Sequence, residues 1–382
     1  MARFGSSSAG VAAVVVAWLA AGALGCSSSG TTAKANGNVS ADAAVDTAGD
    51  AGSDTAADTA TLPDTATAAD VASDATSADG AQADVVAADT ATADTAAGDA
   101  VVVSEANGQW TAVASEAPSV LHGIWGSSAD DIWAVGEQGT VVHYTPAGWH
   151  KVDSSSIAWL HSVWGTGATD VWAVGESQTI LHMDGKAWTK QDVGNGGALL
   201  SVSGSSAADV WAVGDAGLLM HFDGKAWKTS TVTGEPYLYG VFAVSSIDVW
   251  ICGGGGVLWH YDGKTWKKVS SGVTTGIEGL FGTASDDVWA AGDQGTLLHW
   301  DGSAWSKTDS TVPAGHLYQP WGAAPNDIWV PANTGVLLHW NGLKWKQFDW
   351  GSDDNLRAIW GTSAKNIWMV GPFKQVEHYQ AP

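Results

Sequence analysis

The sequence predicts an all-β fold: a seven-bladed β-propeller of four-stranded blades, closed by an N-terminal outer strand and preceded by a disordered tether. Three observations predict it. A unit of 39 residues repeats in three separate registers. Each unit holds four strand-like segments. The segment missing from the last unit lies just before the first.

One register is the Trp of an Asp/Asn-Ile/Val-Trp step, at Trp133, Trp172, Trp211, Trp250, Trp289, Trp329 and Trp368. A second is Trp110, Trp149, Trp188, Trp227, Trp266, Trp305 and Trp345. A third is Leu121, Leu160, Leu199, Leu238, Ile277, Leu317 and Leu356. In the second unit the apolar, β-branched and aromatic segments are 160–164, 171–174, 179–183 and 188–190, separated by Gly-, Asp- and Ser-containing turns. Four antiparallel strands in about 40 residues make one propeller blade.

Six units are complete. The seventh supplies three strands between Leu356 and Tyr379, and Gln109-Trp110-Thr111-Ala112-Val113 stands in the fourth-strand register. The expected architecture is therefore a signal peptide at 1–25, a linker at 26–108 and a propeller at 109–382 whose last blade takes its outer strand from the N-terminal side.

Segments such as Asp287-Val288-Trp289-Ala290-Ala291-Gly292, followed by His299-Trp300-Asp301-Gly302, resemble the bacterial neuraminidase repeat and WD-repeat-like propellers. That group includes sialidases and photosystem assembly-factor propellers. Asp262-Gly263-Lys264-Thr265-Trp266 resembles the Asp-box turn, Ser-x-Asp-x-Gly-x-Thr-Trp, but is one residue shorter after the Asp. The resemblance covers Gln109 onward and implies the fold. Sialidases clamp the substrate carboxylate with three arginines, whereas Arg357 is the one Arg of the mature chain, so that mechanism is not implied here.

The motif His221-Phe222-Asp223-Gly224-Lys225-Ala226-Trp227 combines residue types that bind metals or move protons. Its His recurs in every unit, at His143, His182, His221, His260, His299, His339 and His378, although a catalytic group is needed once. The Asp two places later is Thr145 in the first unit and Asn341 in the sixth, a substitution that suits a turn and not a metal ligand. The motif reads as a blade corner. Antiparallel pairing should bring its His near the Asp that opens strand two, and that Asp should bond the His or cap the preceding turn. The two Trp series should fill the wedges between blades, with indole N–H groups that find acceptors.

Function is then expected where the blades differ. Two positions flank the Leu/Ile register and vary among the units. Before it stand Val120, Trp159, Ala198, Tyr237, Gly276, His316 and Asn355; after it stand His122, His161, Leu200, Tyr239, Glu278, Tyr318 and Arg357. Both sets should lie near the mouth of the central channel. The ligand-binding candidates are Trp159, His161, Tyr237, Tyr239, Glu278, His316, Tyr318 and Arg357. The turns between strands two and three carry Glu137, Glu176, Asp215 and Asp293, an acidic rim able to draw cations or a basic partner, though surface acidity is the simpler reading.

Ahead of the repeats, Arg3 and an apolar run from Ala9 to Leu24 form an export signal too short to span a membrane. The run ends at Ala23-Leu24-Gly25-Cys26, which resembles a bacterial lipobox and implies lipidation of Cys26; simple secretion is the alternative. From Ser27 to Gly108 the chain is mainly Ala, Thr and Asp. Thirteen Asp and Glu105 against Lys34 leave thirteen net negative charges, and too few large apolar side chains to offset ordering entropy. With 40 acidic and 16 basic side chains overall, no nucleic acid partner is expected. Cys252 is the only other cysteine and should be a small core residue.

These features are expected to make a lipid-anchored binding or scaffold propeller of the cell envelope, on the outer membrane, recognising a glycan or an extracytoplasmic protein. The alternatives are a glycoside hydrolase-like enzyme without the arginine triad and a structural or assembly factor. No catalytic residue, metal or cofactor is expected.

Overall fold

The computed structural model describes residues 109–312, 315–333, 335–349, 355–372 and 375–381. The segments expected to form a signal peptide and a linker, with Cys26, lie outside the described residues.

Seven four-stranded antiparallel sheets follow one another along the chain. The first blade runs Leu121–Ser128, Asp131–Gly136, Val141–Thr145 and Gly148–Val152, and the next five repeat the pattern. The first strand of each blade packs on the first strand of the next, and the seventh packs back on the first, which closes the ring. The last blade takes Ala358–Ser363, Asn366–Val370 and Gln375–Gln380, and its fourth strand is Gln109–Ala114. Trp110 lies opposite Tyr379 and Thr111 opposite His378, the register that Trp227 and Lys228 keep with Phe222 and His221. Velcro-like closure thus comes from the expected segment, in the expected frame.

The recurring His lies opposite the recurring Trp in strands two and three, as in Trp211 and His221. The two rings stack, with centroids 3.8 Å apart in that pair and 3.7 Å apart in Trp368 and His378. The Asp two residues before the Trp bonds the outer edge of the imidazole. Asp131 meets His143 at 2.6 Å, Asp170 meets His182 at 2.7 Å and Asp209 meets His221 at 2.8 Å. Asp248, Asp287 and Asp327 each reach their His at 2.7 Å, and Asn366 reaches His378 at 2.8 Å. In four blades the same carboxylate also accepts a hydroxyl from the end of strand one: Ser127, Thr166, Ser205 and Thr283. Of the two roles expected of this residue, the bond to His recurs in all seven blades, and in four of them the Asp also ties the end of strand one just ahead of the turn. Burial opposes the charge on Asp131, Asp170, Asp209, Asp248 and Asp287. The hydrogen bonds from His and hydroxyl outweigh it and hold each carboxyl below its usual range.

The blade corner is a turn, as read. Asp223 accepts the amides of Lys225 and Ala226, each at 3.1 Å, and Gly224 has φ +83°. Asn341 makes the equivalent pair of bonds at 3.0 Å to Leu343 and Lys344.

Between blades, each strand-two Trp meets the strand-four Trp of the next blade edge to face. Trp133 and Trp188 are 5.4 Å apart at 83°, and Trp250 and Trp305 are 5.2 Å apart at 88°. The series closes across the chain ends, where Trp329 meets Trp110 and Trp368 meets Trp149. Trp172, Trp211 and Trp329 also donate their indole N–H to the Asp two places earlier. The other indoles depart from expectation: Trp133, Trp250, Trp289 and Trp368 of the strand-two series, and Trp149, Trp188, Trp227, Trp305 and Trp345 of the outer series, have no acceptor in hydrogen-bond geometry for Nε1 among the described residues. Ring area and edge-to-face geometry hold these side chains, since an indole buries roughly 150–250 Å².

A second interlock lies in the first strands. The ring of Trp125 covers Gly165, Trp164 covers Gly204 and Trp360 covers Gly126, where a Cβ would come within 3 Å of the indole. Blade three carries Ser203 in place of that aromatic residue, and blade four carries Ala243 in place of the glycine. The Ala243 amide donates to Ser203 Oγ at 3.1 Å. Cys252 is fully buried among these strands, and burial pushes its thiol well above its usual range.

Two predictions follow from this packing. Ser203→Trp should destabilise the fold by overpacking against Ala243, by about 1–3 kcal/mol, and adding Ala243→Gly should restore most of the loss in a urea melt. No recovery in the double variant would refute the interlock. Separately, burial pushes the His378 imidazole down to about 4. Its unfolded pKa is higher, so stability is lost as pH falls from about 6.5 towards 4. Asn366→Asp supplies a carboxylate, raises the folded pKa and should shrink the difference between urea midpoints at pH 7 and pH 5.

Candidate functional site

The variable residue after the Leu/Ile register sits on a β-bulge. Leu121 pairs with Gly136 and Gly123 with Val135, which leaves His122 as the extra residue. The same shift frees His161, Leu200, Tyr239 and Glu278 in blades two to five. A bulge breaks the two-residue alternation and re-aims one side chain. Here it releases a position in each of these first strands from the register that its neighbours pack in.

The turn between strands two and three supplies the second component. In blade five Gln294 and Gly295 take φ +55° and +64°, and the Thr296 amide returns to the Asp293 carbonyl, a type I′ turn that Glu137 to Thr140 also forms. The Asp293 amide bonds the Gly276 carbonyl at 2.9 Å. This bond ties the head of the turn beside the bulge.

Together these positions line a cavity of about 650 Å³. His122 and Glu137 come from blade one, Trp159 from blade two and Tyr239 from blade four. Glu278 and Asp293 come from blade five, His316, Tyr318 and Asn333 from blade six, and Asn355 and Arg357 from blade seven. Blade three contributes none of the lining; its Ala198 and Leu200 are buried, with Tyr239 packed on them.

Six of the eight sequence candidates line this cavity: Trp159, Tyr239, Glu278, His316, Tyr318 and Arg357. His161 lies behind it, buried, with Nε2 at 3.2 Å from Glu176. Tyr237 lies beside it, half exposed, and stacks on Tyr239 at 6.0 Å with an 11° interplanar angle. Glu137 and Asp293, read from sequence as surface acidity, are corrected by the structure: both are cavity residues. Their turns point at the channel because the flanking strands run to its mouth. Asp215, from the same series, instead accepts the Ala198 amide at 3.0 Å, and Glu176 holds His161.

The wall is electrostatically divided. On one side Arg357 lies 2.8 Å from His122 Nδ1. A guanidinium only donates, so Nδ1 accepts and the imidazole is neutral. Burial, then Arg357, then His161 push the His122 pKa down to about 2. Its other nitrogen faces Glu137 at 3.8 Å, and Trp159 stacks over the ring at 6.1 Å. Facing this cationic side, Glu278 is only 5% exposed, and burial followed by Asp293 raises its carboxyl to about 8. Burial, then Glu278 and Asp293, push the Tyr239 hydroxyl up to about 12, and burial raises Tyr318 as well. Asp293 is paired with His316 Nδ1 at 2.6 Å. The cavity offers neutral donors from Tyr239 and Tyr318, a guanidinium, amides and a carboxylate–imidazole pair, beside an aromatic wall.

No protein-family model and no curated protein matches the chain. Solved structures do. A structure described as YCF48 bound to D1 peptide is 17% identical, with a TM-score of 0.59 over 72% of this chain and 95% of that one. YCF48 from Cyanidioschyzon merolae is 16% identical, with a TM-score of 0.58 over 71% and 98%. The WD40 β-propeller domain of Doa1 is 12% identical, with a TM-score of 0.62 over 73% and 98%. At these identities the likeness is one of fold: this chain is a seven-bladed β-propeller with WD40-like neighbours.

Arg357→Met tests the divided wall. Burial alone should keep His122 below its ordinary pKa of about 6.5, but loss of the guanidinium should raise it above its present value. An NMR titration of the imidazole that shows no rise would refute the contact.

Proposed function

We propose that this propeller is a binding module that takes a polypeptide segment of an extracytoplasmic partner into the mouth of its central channel. The observation that carries the reading is the cavity itself. Positions that differ from blade to blade converge there from six blades, whereas the repeated Asp, His and Trp are used up in packing. A chain segment suits a site that offers scattered donors and acceptors with ring faces between them. The fold likeness to a structure described as YCF48 bound to D1 peptide supports this choice.

In the same reading, Cys26 carries a lipid, the acidic linker acts as a tether and the disc is held off a bacterial envelope membrane. Glycan recognition is the second reading, favoured by the flat, half-exposed Tyr237–Tyr239 platform.

The full chain, challenged with a displayed peptide library and a glycan array in parallel, separates the two. Enrichment of a peptide motif that Trp159→Ala/Tyr239→Ala abolishes is the expected outcome, with no glycan retained. Selective glycan binding lost in Tyr237→Ala would replace the polypeptide reading. For the anchor, Cys26→Ser should move the protein from the membrane fraction to the soluble fraction; unchanged fractionation would overturn that part.

A further inference from the structure

We infer that Glu278, Asp293 and His316 form a binding site for a divalent first-row transition ion of the zinc or manganese class. The inference goes beyond the partner reading and stands or falls without it.

The bulge residue and the turn residue of one blade, with the residue before the register in the next blade, form a three-cornered frame that recurs around the channel. Blade one fills it with His122, Glu137 and Trp159. Blade two fills it with His161, Glu176 and Ala198, and blade three with Leu200, Asp215 and Tyr237. Each of these has a corner that cannot ligate a metal. Tyr239, Gly254 and Gly276 offer no carboxylate or imidazole at all. Only the frame between blades five and six carries a carboxylate, a carboxylate and an imidazole. Donor atoms of those three residues lie within 4.8 Å of one another.

A cluster of this kind alone would be weak ground. The second observation is Glu278. Its side chain is 5% exposed, lines the cavity and has no hydrogen-bond or ion-pair partner among the described residues. A buried polar group without a partner costs free energy that a metal bond would offset. His316 repeats the pattern: Nδ1 donates to Asp293, and Nε2, which carries the lone pair of the neutral ring, is buried with no hydrogen-bond partner. Metal binding displaces the proton from Glu278, and the two carboxylates then match the charge of a divalent ion; together with the imidazole they suit zinc or manganese better than calcium and magnesium, which prefer oxygen alone. Three protein donors on a wall open to the cavity leave coordination positions for water or a ligand atom, the arrangement of an open site. Twice a metal–ligand bond of about 2.1 Å spans about 4.2 Å, so small side-chain rotations bring the donors onto one ion.

The test uses the full chain, stripped with a chelator and titrated calorimetrically with zinc chloride, with manganese and calcium chloride in parallel. One zinc or manganese ion per chain is expected. Glu278→Gln and His316→Asn should each weaken binding about tenfold or more, while Glu176→Gln, in the incomplete frame of blade two, should not change it. All variants keep the acidic linker and Cys26, so binding there cancels in the comparison. Should Glu278→Gln fail to fold, His316→Asn decides. X-ray absorption at the zinc edge should show a nitrogen and oxygen shell with one imidazole. No stoichiometric zinc or manganese binding, binding unaltered in both variants, or a sulfur shell would each overturn the site. Because the probe is the metal alone, failure of the partner reading leaves this result untouched, and the reverse holds.

Discussion

The fold depends on one contact repeated seven times: a carboxylate or amide oxygen at the start of strand two grips an imidazole on strand three, and that imidazole packs against the intervening Trp, stacked in six blades and tilted in the fifth. The oxygen fixes the edge of the ring, the ring fixes the indole, and the indole meets the next blade. The magnitudes rank these parts. An edge-to-face pair contributes about 0.5–1.5 kcal/mol beyond burial, whereas deleting a buried aromatic ring costs about 3–5 kcal/mol. Ring burial therefore dominates, and the hydrogen bonds chiefly decide which way each ring faces. Asn366 shows how much latitude the contact has, since an amide oxygen keeps the geometry without the charge.

Because packing consumes the repeated polar residues, the propeller can vary what remains. The bulge in the first strand is the device that makes this safe. It removes one side chain per blade from the close-packed register without shifting its neighbours, so His, Leu, Tyr and Glu occupy equivalent positions in blades one to five. Divergence at the bulge and at the adjoining turn converges at the channel, because first strands line its wall. The result is one polar cavity with a guanidinium–imidazole side and a carboxylate side, on a chain whose excess charge is strongly negative.

Much of the site was legible from the period alone. Counting in steps of 39 identified the two variable positions beside the Leu/Ile register, and six of the eight residues chosen from them line the cavity. Glu137 and Asp293 were misread because an acidic residue before Gly in a tight hairpin carries the same local signal whether it faces solvent or a channel. His161 and Tyr237 share the period of the lining residues but fall outside the cavity. Their neighbours distinguish them: the buried His161 bonds Glu176, and Tyr237 stacks on Tyr239 beside the cavity.

The sequence by itself determined the blade count, the closing strand and the nearness of the recurring Asp to the recurring His, because each follows from periodicity and strand register, which are one-dimensional properties. Only the tertiary structure decided which variable residues meet. Closing the ring sets Arg357 against His122 across 235 positions, and blade-to-blade packing sets His316 beside Asp293. Such encounters depend on the twist and radius of the closed ring, and no local pattern in the chain encodes those distances.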